Sequence, residues 1–338
     1  MKILVTGIAG FIGYHLALRL AKEGVEVVGV DSLNDYYSVE LKYGRLSELG
    51  LPMSTLFEGI RYRSLKYPNL AFYRLSIENR HALPALFERE SFDCVVHLAA
   101  QAGVRYSLEN PFAYVDSNIS GMVNMLECCR HFAIKHLLYA SSSSVYGDNP
   151  KVPFSEEDVV EAPVSLYAAT KRSDELMAQV YARLFQLPST GLRLFTVYGP
   201  WGRPDMSPML FADAICDSRP IRLFNHGDMM RDFTYIDDVV EGVVRLIGQV
   251  PSGDVPCEIF NIGRGEPTSI VNFIAELERV LGRKARFEML PMQAGDVPCT
   301  YADTSKLKSK VGFAPQTPLR KGVESFVRWY RSERNPLK

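Results

Sequence analysis

The chain predicts an α/β protein built on a doubly wound parallel sheet, and three observations predict it. It opens on an apolar strand, residues 2–6, that runs into a turn with glycines at 7, 10 and 13. Short apolar runs then alternate with helical patterns as far as residue 197. Several of these runs are apolar on both faces, as strands covered by helices on either side must be. The candidate strands are 2–6, 25–31, 70–75, 94–98, 136–140 and 190–195. Helical patterns fall near 11–23, 80–89, 111–132 and 165–185. Right-handed crossovers between such strands give a doubly wound sheet. The segment 34–68 is long for a simple connection and has helical character near 38–49. After about Tyr198 Pro and Gly become frequent, helices fall near 208–217, 235–249 and 269–281, and strands shorten. The expected organisation is a nucleotide-binding sheet domain over 1–197, carrying a catalytic helix. A smaller α/β lobe over 198–338 would hold mainly substrate, with some segments returning to the first domain.

Composition narrows the function classes. With 338 residues and a net charge of −1, the chain can bury a sizeable core and has no general attraction for nucleic acid or membranes. An anionic ligand must therefore be held by local groups. No run approaches the roughly 18 apolar residues of a membrane span. The amino terminus reads as a strand rather than a signal peptide, because Gly7 and Gly10 interrupt it. The six cysteines, at 94, 128, 129, 216, 257 and 299, lack zinc spacing. Reduced, buried thiols in a cytoplasmic protein are expected, with no metal.

The turn Thr6-Gly7-Ile8-Ala9-Gly10-Phe11-Ile12-Gly13 reads G-x-x-G-x-x-G. Gly7 permits a sharp exit from the strand, Gly10 lets backbone approach a pyrophosphate, and Gly13 lets the helix pack against the sheet. A Rossmann-like site follows. Asp31 ends the next strand, where a carboxylate accepts from an adenosine ribose and repels a 2′-phosphate. Ser32 follows with no adjacent Arg, so NAD is favoured over NADP. Residues 97–101, His-Leu-Ala-Ala-Gln, offer small side chains at a strand end, suited either to a cofactor or to tight packing.

Tyr167 and Lys171 stand one helical turn apart and so share a face. An ammonium there favours the ionised phenol, which can act as a general base on a sugar-like hydroxyl. Such a pair also arises by chance on helix surfaces. The glycine turn and the serine run 141–144 make chance a poor explanation here.

With these residues in place, the chain resembles the extended short-chain dehydrogenase/reductases, and within them the nucleotide-sugar 4-epimerases. The matching segments are the glycine turn, HLAAQ, SSSSVYG, YAATK, LFTVYGP, RDFTYIDD and FNIG, spread over nearly the whole length. The resemblance implies a Ser–Tyr–Lys triad at Ser142, Tyr167 and Lys171, with Ser143 or Ser144 as alternatives to Ser142. It implies NAD held by Gly7, Gly10, Phe11, Ile12, Gly13, Asp31, Ser32, Ile77, Leu98, Ala99, Ala100 and Gln101, together with Tyr167 and Lys171. One departure lies at Ser76-Ile77-Glu78-Asn79, where the family often has an Asp near adenine.

Segments 34–37, 102–107 and 202–206 are most similar to UDP-glucuronate 4-epimerases. Related 4,6-dehydratases and decarboxylases carry side-chain acids where this chain has Ser143 and Ser144. The implied reaction removes the sugar 4-hydroxyl proton through Tyr167, forms a 4-keto sugar and returns the hydride to its other face. The keto form of a glucuronate is a β-keto acid, which loses carbon dioxide if its carboxylate aligns with the carbonyl. Ser143, Ser144 and Thr196 are the implied donors that hold it out of alignment, with Arg203 as the cation. Arg231, Arg222 and Asp296 are the implied contacts to the nucleotide diphosphate and its ribose. A neutral UDP-sugar epimerase and a non-catalytic NAD-sensing protein of the same fold remain as alternatives. A homodimer through 111–132 and 165–185 is expected from the family.

Overall fold

The computed structural model describes residues 1–52, 55–292 and 296–338. In chain order its strands are β1 (Lys2–Thr6), β2 (Glu26–Asp31), β3 (Arg61–Arg63), β4 (Leu70–Arg74), β5 (Cys94–His97), β6 (His136–Ser142) and β7 (Ser189–Leu194). There follow β8 (Thr196–Tyr198), β9 (Pro220–Leu223), β10 (Met230–Tyr235), β11 (Cys257–Ile262), β12 (Pro267–Ser269), β13 (Arg286–Met289) and β14 (Cys299–Thr300). The main sheet has the order β11-β7-β6-β5-β1-β2-β4-β3. Its pairings are parallel except β3 on β4. The chain moves outward from β1 through β2 to β4 and then returns to place β5 on the other side of β1. That reversal opens a crevice at the carboxyl ends of β1 and β5, where ligands of open α/β sheets bind.

Alternation along single strands feeds two cores. Ile3 and Val5 of β1 join one buried cluster with Leu16 and Leu20 of the helix Phe11–Lys22. Leu4 faces the opposite way and joins Leu83, Phe87, Met125 and Leu126 from the helices Ala82–Glu90 and Gly121–His131. The first cluster runs on into the second lobe. There Phe233 of β10 stacks on Phe273 of the helix Ile270–Leu281 with 4.1 Å between centroids, and Tyr198 of β8 packs edge-on to both. One core therefore contains residues from both sides of position 197.

Strand β11 extends the main sheet beyond β7, although it lies far past residue 197. The helix Ile236–Ile247 likewise packs beside Phe11–Lys22. The segment expected as one helix over 111–132 is three pieces: Pro111–Tyr114, a wider π turn over Val115–Ser120, and Gly121–His131. The helices Ser305–Val311 and Leu319–Tyr330 have no counterpart in the sequence reading. Cys94, Cys128 and Cys129 are buried as free thiols, while Cys216, Cys257 and Cys299 are free and only partly buried. Among the described residues, no helix is long and apolar enough to cross a membrane.

Candidate active site

A cavity of about 790 Å³ lies along the carboxyl ends of β1, β5, β6 and β7, beneath the second lobe. Every residue that the sequence analysis assigned to a site lines it. Of the segment read around Asp296, Gly295 lies outside the described residues, and Asp296 and Val297 face the cavity.

At the cofactor end, Gly7 has φ +70°. A Cβ there would stand 2.9 Å from the Ala99 amide nitrogen, and one on Gly13 would stand 2.2 Å from the Gly7 carbonyl oxygen. No side chain fits either position, so the helix amino terminus beginning at Phe11 is left open to an anion. Asp31 accepts from the amides of Ala9 at 3.1 Å and Leu33 at 2.9 Å, so its carboxylate also braces the turn. Thr6 Oγ1 accepts from the amides of Leu98 and Ala99, 3.1 and 3.0 Å away. The same oxygen lies 2.8 Å from His97 Nδ1. Burial drives the His97 imidazole down to about 3, with Lys171 adding to the fall, so it is neutral. A glycine cradle, an anion-facing helix terminus and a ribose-facing carboxylate form a donor set that fits a dinucleotide. Ser76, Ile77 and Glu78 line the cavity near this end, in the segment that departs from the family pattern.

Two cations here escaped the sequence reading. The helix Val39–Glu48 carries Lys42 and Arg45, both buried. Lys42 lines the cavity, and burial lowers its ammonium while nearby Asp31 opposes the fall. Arg45 donates to the carbonyls of Ala9 at 2.8 Å and Trp201 at 2.7 Å, tying the glycine turn to the loop that carries Arg203. The helical pattern of 38–49 was readable. That its basic residues turn inward was not, because no spacing rule shows the Asn34 oxygens that accept from Lys42 or the remote carbonyls that accept from Arg45.

In the centre, Tyr167 lies in the first turn of the helix Leu166–Phe185, whose cap Ser165 accepts from the Ala168 amide. Lys171 donates to the Ala140 carbonyl at 3.0 Å and to Asp174 Oδ2 at 3.0 Å. Of the serine run, Ser141 is committed to Glu175 at 2.6 Å. Glu175 in turn holds Arg193 through two bonds of 2.8 and 2.9 Å. Ser142, Ser143 and Ser144 face the cavity, and Ser142 Oγ is 3.1 Å from Ser144 Oγ. Asn118, in the π turn, accepts from the Gln101 amide and donates to Gln101 carbonyl and Thr170. The wider turn thus pins Gln101, at the end of the segment after β5, to the helix Leu166–Phe185. Such turns recur at functional sites.

Elsewhere along the cavity, Arg203 forms a two-pronged pair with Asp205: Nε to Oδ1 at 3.0 Å and Nη2 to Oδ2 at 2.5 Å. Tyr36 donates to the same carboxylate at 3.0 Å. The sequence reading took Arg203 as a free cation and did not see this partner two residues away. Arg231 and Asp296, assigned separate contacts, pair with each other at 2.9 Å. Arg222 and Arg105 both lie over the Phe224 ring, 5.5 and 4.8 Å from its centroid. In the RDFTYIDD segment only Arg231 and not Asp232 lines the cavity. Asp232 is fully buried and accepts from the amides of Arg264, Gly265 and Ala302.

Residues 3–263 match the family described as NAD dependent epimerase/dehydratase. The chain belongs to that family. It is 45% identical over 328 residues to a UDP-glucuronate 4-epimerase of Thermodesulfobacterium geofontis, covering 96% of this chain and 95% of that protein. It superimposes with TM-score 0.86 and 36% identity on a Bacillus cereus UDP-glucuronic acid 4-epimerase crystallised with UDP-glucuronic acid and NAD, covering 97% of this chain and 98% of that one. A Thermotoga maritima UDP-glucose 4-epimerase with UDP-glucose gives TM-score 0.83 and 31% identity, over 98% of this chain and 99% of that one. Among members of the family, epimerases of both acidic and neutral UDP-sugars therefore share this architecture.

Proposed function

We propose that the protein interconverts UDP-glucuronate and UDP-galacturonate by NAD-dependent epimerisation at C4. The observation that carries this reading is that Tyr167 and Lys171 face one cavity. The glycine cradle, Arg203 and the acid-free serine run line that same cavity. NAD, held by the glycine cradle and Asp31, would supply a reversible hydride acceptor for C4. Tyr167 takes the 4-hydroxyl proton and later returns it. Lys171 keeps a positive charge one turn away. Ser142 hydrogen-bonds the reacting oxygen. Arg105, Arg222 and Arg231 supply the local cations that the near-neutral chain otherwise lacks, and the pyrophosphate of UDP is their natural counterpart. Asp296 takes the uridine ribose.

Arg203 suits a C6 carboxylate despite Asp205. A guanidinium has five N–H donors. Asp205 occupies Nε and Nη2, so the Nη1 edge stays available. Ser143, Ser144 and Thr196 add neutral donors, and together these hold the carboxylate out of line with the C4 carbonyl. A neutral-sugar epimerase is the second reading, favoured by the charge that Asp205 cancels on Arg203 and by the likeness to the UDP-glucose enzyme. Incubation with a panel of UDP-sugars, read by chromatography and mass, separates them. Conversion of UDP-glucuronate to an isomer of equal mass supports the first. Turnover of UDP-glucose with UDP-glucuronate ignored supports the second, and UDP-pentose as main product would mean a decarboxylase.

A homodimer is also part of this proposal. Leu176, Val180 and Leu184 recur every fourth residue on the helix Leu166–Phe185 and are exposed. Leu108 and Phe112, before the π turn, and Val115, at its start, are exposed. Apolar stripes of this kind are covered by a partner in most soluble proteins. Free thiols suit a cytoplasmic setting.

A further inference from the structure

Asp174 is a buried carboxylate for which the reaction has no chemical use. Its side chain is 3% exposed and its partner Lys171 is 5% exposed. Tyr167, Lys171 and Asp174 stand at successive turns of one helix, so they share a face. An ammonium has three N–H donors. Ala140 carbonyl and Asp174 Oδ2 take two of them, both at 3.0 Å, and Lys171 lines the cavity with the third. The other oxygen, Oδ1, is buried with no hydrogen-bond partner. Sequestering a carboxylate half-satisfied is costly and calls for a compensating role.

We infer that Asp174 is a positioning residue: it moors the Lys171 ammonium against the Ala140 carbonyl and sets how much of its charge reaches Tyr167. The inference rests on the epimerase reading and adds to it a residue that touches neither substrate nor cofactor. Facing Asp174 are Lys171 and Glu175 from its own helix and Tyr139 from β6, while His97 of β5 faces Lys171. Glu175 is already neutralised by Arg193. Burial lifts the Asp174 carboxyl to about 6 even against the pull of Lys171. Above that pH the Lys171 charge is balanced, and below it the charge acts on Tyr167 unopposed.

Two variants test it. Asp174→Asn keeps an acceptor near Lys171 and removes the charge at every pH. Its acid limb of kcat against pH should lie about half a unit to one unit lower than that of the wild type, as expected for one charge removed two helical turns, about 10 Å, along the helix from residue 167. The ultraviolet phenolate difference between each enzyme and its Tyr167→Phe counterpart should move in the same direction, without turnover. Asp174→Ala removes the mooring, and kcat should fall about tenfold or more with KM little changed, since one charged hydrogen bond is lost. Superimposable pH profiles and phenolate titrations in wild type and Asp174→Asn overturn the inference, whether or not Asp174→Ala folds. Wild-type turnover is recorded first. Its absence counts against the epimerase reading and the inference together, whereas turnover with an unmoved profile counts against Asp174 alone.

Discussion

Tyr167 meets Tyr114 edge-on with 6.0 Å between ring centroids, so its ring is fixed by packing and its hydroxyl is free for chemistry. Tyr167→Phe should leave the fold and the dinucleotide in place and lower kcat by about 10²–10⁴-fold, the loss expected for a general base. Near-normal turnover in the purified variant would remove Tyr167 from that role. This pair was legible because Tyr167 and Lys171 are neighbours on one helix. The partners of Arg203 and Lys171 were not, because an ion pair depends on rotamers and burial that no spacing rule supplies. Glu90 makes the same point away from the site. Burial raises its carboxyl, yet hydrogen bonds from Arg61, Tyr73 and Lys2 outweigh that and bring it down to about 2. A carboxyl depressed in this way stabilises the fold above its unfolded value of about 4.3 and loses that contribution as pH falls toward 2. Glu90→Gln should therefore cost about 1.5–3 kcal/mol at neutral pH. Urea titrations should show the gap to wild type closing below about pH 4.

Among the elements, the turn between β1 and the helix Phe11–Lys22 was the most readable, since three glycines at fixed spacing have few other uses. Gly13→Ala would drive a Cβ toward the Gly7 carbonyl at 2.2 Å. The overpacking should cost about 1–3 kcal/mol and strip bound dinucleotide during purification. Retention of a full complement of NAD by a stable Gly13→Ala protein would contradict the role given to the turn. The segment 111–132 was read as one helix because its apolar spacing hardly changes across the π turn. The extra residue shows only in tertiary structure, where Asn118 reaches Gln101 and Thr170 at once. Strand β11 was hidden for a similar reason. Its residues look like any short strand of the second lobe, and only parallel pairing with β7 assigns it to the main sheet.

At the scale of the whole molecule, one buried cluster joins the main sheet to the later segments, a common frame whose two parts both line one cavity. Arg45 strengthens that frame by bonding the glycine turn and the Trp201 carbonyl together. A frame of this kind keeps one reacting carbon beside one hydride acceptor through both halves of an epimerisation. The α/β class and six of the main sheet's eight strands, all but β3 and β11, were legible from alternation of apolar runs and helical patterns. How the later segments interleave with them was not, because that order is set by contacts between residues far apart in sequence, such as Cys257 of β11 opposite Ser189 of β7. The central claim is that the hydride leaving C4 is the one that returns. UDP-glucuronate deuterated at C4 tests it most directly, by mass spectrometry and proton resonance of the epimer formed in ordinary water. Full retention of deuterium at C4 of UDP-galacturonate is the expected result. Washout of the label into solvent, or a product lighter by carbon dioxide, would contradict it.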